Sequence, residues 1–143
     1  MNRIIIVLAS MVLLSSTSYS QPKRFQSMVG NWEIVGEQDS GGGLEVVDSS
    51  TILIRFMGQE KKLIHYKIDF TKSPYWFDFT AKDTASISNF KSLLEFVNDD
   101  MLKWQVFVDE DRVDHFTSGS GELFYLRRVA PRSNSNIVAS GKQ

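Results

Sequence analysis

Residues 61–80 read KKLIHYKIDFTKSPYWFDFT, and this stretch decides the fold class. In its first half, apolar residues from Ile64 to Phe70 alternate with polar ones. In its second half, Tyr75, Phe77 and Phe79 fall on one side of a second alternating run. Alternation with a period of two is typical of a half-buried β-strand. Because the Lys72-Ser73-Pro74 turn between the runs is short, the two strands are predicted to be antiparallel neighbours.

The same alternation continues on both sides of this hairpin. Sequential antiparallel strands leave two open sheet edges, and closing the sheet into a barrel removes both. We therefore predict an all-β, eight-stranded, antiparallel up-and-down meander barrel, with a two-sheet sandwich as the alternative. Gln38–Ser50, with its glycine run 41–43, is interpreted as a first loop, and Asp83–Phe90 as a segment able to form one helical turn. The predicted strands are Val29–Glu37, Thr51–Phe56, Lys61–Phe70, Tyr75–Thr80, Lys91–Val97, Met101–Val108, Arg112–Thr117 and Glu122–Val129.

Composition excludes several classes of function. The 143 residues contain no cysteine, which excludes disulfides, thiolate metal sites and a cysteine nucleophile. A formal net charge of −1 gives no basic field for nucleic acid or for an anionic membrane. Apolar residues make up 42% of the chain, a proportion ordinary for a globular domain.

The N-terminal segment has the pattern of an export signal. Arg3 precedes an apolar run from Ile4 to Leu14, which is shorter than the roughly 20 residues that span a bilayer. Ser18 and Ser20 fit the small-residue pattern of a signal-peptidase site. We expect a signal peptide over 1–20, a barrel domain over 21–130 and a flexible tail over 131–143. The protein is then exported to the periplasm or the cell exterior, without a membrane span.

The titratable residues suggest three candidate sites for chemistry. Asp69 and Asp78 flank the 72–74 turn, where two carboxylates near each other would form an acid–base pair. His115 lies close to the acidic run 109–111, and His65 lies on the polar side of its strand. Salt bridges, turn caps and solvent-facing positions explain these residues more simply. We therefore expect a protein that is not an enzyme, with no metal and no cofactor.

Gly30-Asn31-Trp32 matches the Gly-x-Trp motif that opens the first strand of lipocalins, and Asp69, Pro74 and Asp78 fit an Asp-x-x-x-x-Pro-x-x-x-Asp spacing. With these motifs the chain resembles small secreted bacterial lipocalin-like domains. In that family an arginine near the end of the last strand stacks across the tryptophan and helps to close the barrel. The resemblance implies that the closure residues here are Gly30, Trp32 and either Arg127 or Arg128.

The predicted inner face consists almost entirely of large side chains, so the interior is expected to be filled or to hold a small pocket at most.

We expect a non-catalytic protein that binds a small hydrophobic ligand in the barrel. The alternative is a filled barrel that binds or inhibits a protein partner through Gln38–Ser50 and Asp83–Asn89. An apolar cavity above ~300 Å³ favours the first. The predicted inner face contains Trp32, Ile34, Ile52, Ile54, Phe56, Ile64, Tyr66, Ile68, Phe70, Tyr75, Phe77, Phe79, Leu102, Trp104, Val106 and Val108, and the candidate ligand contacts among them are Trp32, Phe56, Tyr66, Tyr75, Phe77 and Trp104.

Overall fold

The structure is a computed structural model that describes residues 23–36 and 41–131. The predicted signal peptide over 1–20 and the predicted tail beyond residue 131 lie outside the described residues. One short helix precedes the strands in the described part of the chain. The elements are α1 (Lys23–Met28), β1 (Gly30–Ile34), β2 (Gly43–Asp48), β3 (Thr51–Phe56), β4 (Gln59–Asp69), β5 (Tyr75–Lys82), β6 (Ile87–Asn98), β7 (Met101–Phe107) and β8 (Glu122–Val129).

The strands form a closed barrel in sequence order, β1 to β8. Each strand pairs antiparallel with the next, and β8 returns to β1, where Trp32 lies opposite Arg128. This closure leaves the sheet without a free edge. The prediction of an eight-stranded, antiparallel up-and-down barrel is confirmed.

The set of eight strands differs from the predicted set in two places. β2 (Gly43–Asp48) lies within the segment interpreted as a loop, while Arg112–Thr117 is not a strand. In β2, Leu44 and Val46 point into the core, but the flanking glycines and acidic residues hide this short alternation. The segment 83–90 is not helical, because β6 begins at Ile87.

A β-bulge in β4 corrects the predicted inner face. The register between β4 and β5 shifts between Leu63 and His65. Leu63 is consequently buried, whereas Ile64, predicted to point inward, is 54% exposed. A one-residue shift moves side chains to the opposite face of a strand, and no signal in the alternation marks where it occurs.

The two ends of the barrel are built differently. At one end α1 covers the interior, with Phe25 and Met28 buried in the core. At the other end lie the β3–β4 turn, the β5–β6 loop and the start of the long β7–β8 connection. We call these the closed end and the open end. Phe56 and Val108 belong to the inner face but are about half exposed, 50% and 48%, because they lie at the rim of the open end.

The β7–β8 connection, residues 108–121, folds back over the outside of the barrel. Gln105, fully buried on the outer face of β7, donates to the carbonyls of Thr117 and Ser120 and accepts from the Thr117 amide. Leu93 and Phe107 are buried on the same outer face. We call residues 108–121 the strap. Its backbone is held by a side chain instead of by a strand ladder, which is why Arg112–Thr117 is not a strand.

Candidate functional site

A pocket of about 450 Å³ opens at the open end of the barrel. The sequence predicted a small pocket at most, and this cavity is larger than that because the inner position 81 at this end is a small alanine. Most of the lining is apolar, with charged groups near the rim. The lining residues are Ile34, Gly43, Ile54, Arg55, Phe56, Met57, Gln59, Lys61, Phe79, Ala81, Asp83, Phe90, Trp104, Val106, Val108, Glu122 and Phe124.

Four aromatic side chains form the deeper wall of the pocket. The rings of Phe79 and Phe90 stack with centroids 5.0 Å apart and planes inclined by 19°. Trp104 lies 5.9 Å from Phe79 and 6.0 Å from Phe124, measured between ring centroids. Such contacts hold the rings in fixed relative orientations. The wall is therefore a preformed aromatic surface.

Trp104 is oriented by a buried hydrogen-bond chain. Its indole N–H donates to the Ser92 hydroxyl over 3.0 Å, and that hydroxyl donates to the Phe77 carbonyl over 2.5 Å. Ser92 is fully buried, and both polar side chains are satisfied. Because the indole N–H is already used, Trp104 presents its apolar surface to the pocket.

The charged groups of the pocket lie at its mouth. Lys61 points inward opposite Ile54, and its ammonium lies 3.2 Å from the Asp83 carboxylate. The pKa of Asp83 is lowered from its ordinary value of 3.8, first by the Thr84 amide and then by Lys61. On the far side of the mouth, Glu122 points inward opposite Val106.

The β3–β4 turn places an exposed apolar side chain at the rim. Met57 has a φ of 50° and Gly58 a φ of 71°, as a two-residue hairpin turn with two left-handed positions requires. A bulky residue is uncommon at a left-handed position. Met57 occupies such a position here, where its side chain is 80% exposed and lines the pocket beside Phe56. The rim on this side is therefore apolar.

Of the six predicted ligand contacts, Phe56 and Trp104 line the pocket. Phe77 is fully buried beneath the pocket, 6.2 Å from Trp104 between ring centroids. Tyr66 donates its hydroxyl to the Ser49 carbonyl in the β2–β3 turn, and burial raises its pKa. Phe77 and Tyr66 therefore lie outside the pocket.

Tyr75 and Trp32 complete the predicted set of contacts and lie toward the closed end. The Tyr75 ring packs against Phe70 and under the guanidinium of Arg24. Trp32 is fully buried and donates its indole N–H to the Met28 carbonyl over 2.8 Å. The pocket-lining residues that the prediction missed are chiefly Phe79, Phe90 and Phe124. Phe79 belongs to the predicted inner face, but alternation does not show how far along the barrel axis a side chain lies.

The closure residues meet at the closed end. The Arg128 guanidinium lies 4.1 Å from the centroid of the Trp32 ring, whereas Arg127 is exposed. Arg128 also donates to the carbonyls of Val29 at 2.8 Å and Ser27 at 2.7 Å. Gly30 has a φ of 133°, and a Cβ there would lie 2.9 Å from an Arg128 nitrogen. Of the two arginines, Arg128 is thus the one in contact with Trp32.

The carboxylates flanking the β4–β5 turn have separate partners. Asp69 accepts from the amide and hydroxyl of Thr71, which lowers its pKa. Asp78 pairs with Arg112 of the strap, and Arg112 stacks on Trp76 at 3.9 Å. Both carboxylates point away from the barrel interior, in register with the outward Lys67 and Trp76.

The two histidines lie on the surface. His65 is exposed, and His115 contacts the Asp114 carboxylate at 2.7 Å, which lowers the pKa of Asp114. Within residues 23–36 and 41–131, no group of three or more His, Cys, Asp or Glu side chains is placed to hold a metal ion. In the acidic run 109–111, the Asp111 carboxylate forms an ion pair with the Lys91 ammonium at 2.9 Å.

Two further features concern groups outside the cavity, although Arg55 is also among the residues that border it. A broad, shallow depression borders the β6–β7 turn and the end of β8, next to Arg128. Arg55 lies on the outer wall opposite Gly43 of β2, and its side chain is buried. One guanidinium nitrogen lies 3.5 Å from a side-chain oxygen of Asn31 and 3.5 Å from a carboxylate oxygen of Glu45. Its other two nitrogens have no hydrogen-bond partner. Asn31 and Glu45 alternate with the inward Trp32 and Leu44, so this guanidinium is directed away from the pocket.

Comparison with protein-family models gives no match, and no curated protein or solved structure shows significant similarity to the chain. In the part of the chain that the structure describes, no helix has the length and apolar character needed to cross a membrane. The geometry of the barrel and its pocket therefore carries the functional argument.

Proposed function

We propose that the protein is a non-catalytic binding protein that takes a small, largely apolar molecule into the open end of its barrel. The observation that carries this proposal is the pocket of about 450 Å³, with Phe79, Phe90, Trp104 and Phe124 in its wall. Small-molecule sites are concave, mostly apolar and about 300–1,000 Å³ in volume. A preformed aromatic wall reduces the ordering cost of binding.

We further propose that the protein is lipocalin-like. A closed, antiparallel eight-stranded barrel is compatible with that fold. The Gly-x-Trp motif at Gly30–Trp32 and the stacking of Arg128 on Trp32 support the assignment. Export to the periplasm or the cell exterior is part of the same proposal. It is supported by the sequence pattern of residues 1–20.

The direct test is titration of the mature protein with N-phenyl-1-naphthylamine, a neutral dye whose emission rises in apolar surroundings. We expect saturable binding of one dye per chain, with quenching of tryptophan emission because Trp104 lines the pocket. Replacing Trp104 with Phe should remove most of that quenching while binding persists. Absence of saturable binding by the correctly folded protein would overturn the proposal.

A pocket-filling variant shows whether the dye occupies this cavity. Ala81 lines the pocket and is 7% exposed, so Ala81→Phe adds a ring to the cavity itself. Ala85, exposed in the β5–β6 loop, provides the matched control Ala85→Phe. We expect at least a tenfold loss of dye affinity in the first variant and little change in the second. Equal affinities in both variants would place the dye elsewhere.

A second candidate function is favoured by the rim of the pocket. Phe56 is 50% and Met57 80% exposed, and adjacent exposed apolar side chains are typical of surfaces that bind partners. The loops that the sequence predicts for this role are partly strand, because Gly43–Asp48 forms β2 and Ile87–Asn98 forms β6. A filled-barrel interaction module would retain partner binding in Ala81→Phe and lose it in Met57→Asp.

A further inference from the structure

The pocket is polar at its mouth and apolar in its depth. Deep in the pocket, the indole N–H of Trp104 is taken by Ser92, and the neighbouring lining side chains Phe79, Phe90 and Phe124 have no polar atoms. Burying an unpartnered polar group costs about 1–3 kcal/mol or more. A ligand therefore enters with its apolar part first and keeps its polar group at the mouth.

The charges at the mouth are unequally paired. Lys61 and Asp83 form an ion pair at 3.2 Å, so their charges largely cancel. The Arg55 guanidinium is on the outer wall beside Glu45. Glu122 also lines the mouth, and it has no ion pair within the described residues. Of the described charged groups directed to the mouth, Lys61, Asp83 and Glu122, one is positive and two are negative.

We propose that the ligand is a one-headed amphiphile with an apolar, ring-bearing body and a positively charged head that pairs with Glu122. This inference rests on the proposed function and names its ligand class. Glu122 and Phe124 point into the barrel from the same strand, and Trp104 lies opposite Phe124 on β7. A cation held near Glu122 is therefore close to aromatic faces, which attract cations.

An anionic head is disfavoured at the same mouth. Lys61, the cation that points inward there, already has Asp83 as its partner. An incoming carboxylate would have to displace Asp83 from Lys61, although Asp83 is also held by the Thr84 amide. The incoming carboxylate would in addition be repelled by Glu122. Because the mouth is open to solvent, the preference for a cation is modest and falls as salt is added.

Three probes with one fluorescent body separate charge from apolar binding. Dansylcadaverine has a cationic amine, its N-acetyl derivative is neutral at that end, and its N-succinyl derivative is anionic. At low salt we expect affinity to fall in the order cationic, neutral, anionic, by about threefold at each step. Raising the salt concentration to 0.5 M should bring the three affinities together.

Charge removal at the mouth is compared with charge removal on the outer wall. Glu122→Gln should abolish the preference for the amine over the N-acetyl probe. Glu60, which lies at the same end but points outward beside Arg55, gives the matched control Glu60→Gln, in which the preference should persist.

The possible failures are distinguishable. If none of the three probes binds saturably, the proposed function itself is wrong, and the ligand class falls with it. If all three probes bind with equal affinity, or the succinyl probe binds best, the proposal of a binding pocket is supported and the proposal of a positively charged head is wrong. Loss of the preference in Glu60→Gln to the same extent as in Glu122→Gln would also overturn the pairing with Glu122.

Discussion

Arg128 shows how one residue joins three parts of the barrel. Its guanidinium stacks on Trp32 of β1, donates to Ser27 in α1 and to Val29, and reaches the Asp99 carbonyl in the β6–β7 turn at 3.1 Å. These partners lie around one planar group, a geometry that guanidinium satisfies and ammonium does not. The residue therefore ties the helix, the first strand and a distant turn to the last strand.

Replacing Arg128 with Lys should destabilise the fold although it keeps the charge. We expect a loss of about 2–3 kcal/mol in the free energy of unfolding, because several charge-assisted hydrogen bonds to backbone carbonyls and the stacking on Trp32 are lost together. Urea denaturation measures this loss. Arg127→Lys, at the exposed neighbouring position, is the matched control and should change stability by less than about 0.5 kcal/mol. Equal effects at the two positions would contradict the closing role of Arg128.

At the scale of elements, the sequence predicted the long alternating strands well. Thr51–Phe56 and Glu122–Val129 have the predicted bounds, because turn residues adjoin them at Met57-Gly58 and at Ser118–Gly121. β2 was missed because its six residues follow glycines and include two acidic ones. The bulge at Leu63–His65 depends on pairing with β5, which local sequence does not encode.

The site was predicted less completely than the fold. Trp104 and Phe56 were placed correctly on the inner face, but so were Phe77 and Trp32, which lie away from the pocket. Depth along the barrel is set by strand stagger and by where α1 covers the interior. The prediction of a strand over Arg112–Thr117 was wrong, because the anchor of this part of the strap, Gln105, lies in another element.

Gln105 should control the strap. Gln105→Leu keeps the side chain near its original volume but leaves the Thr117 amide and the carbonyls of Thr117 and Ser120 without their partner. We expect the free energy of unfolding to fall by about 2 kcal/mol or more. Hydrogen exchange of the strap amides should quicken while the exchange of β3 and β4 amides changes little. Gln59→Leu, at an exposed glutamine, is the control. Unchanged strap exchange in Gln105→Leu would show that other contacts hold it.

At the scale of the whole molecule, the contacts that close the barrel and the pocket lie at opposite ends of the barrel. α1 and Arg128 cover the closed end, whereas no described helix covers the open end, where the inner residue Ala81 is small. The proposed ligand would therefore enter at the end remote from the contacts that close the barrel. Variants at the two ends should accordingly separate stability from binding, since sites that share no partners act nearly independently.

The surface carboxylates make the stability of the whole molecule sensitive to acid. The pKa values of Asp48 and Asp69 are lowered from 3.8 by hydrogen bonds from Ser50 and Thr71, respectively. Asp83, Asp111 and Asp114 are lowered as well. A carboxyl with a lower pKa in the folded state binds fewer protons than in the unfolded chain. Its contribution is therefore complete above the unfolded pKa and is lost as pH falls through the folded one.

We expect the melting temperature to fall as pH is lowered from 5 through 3.8 and below, and the double variant Asp48→Asn/Asp69→Asn to show a shallower fall. Asparagine still accepts the turn hydrogen bonds but does not titrate. The two proteins should thus differ most near pH 7 and converge in acid. Thermal unfolding from pH 7 to 2.5 measures this, with Glu60→Gln as a control that removes one exposed carboxylate. A constant difference across the range would mean that these turn carboxylates do not couple protonation to folding, since only a group whose pKa changes on folding alters the slope of stability with pH.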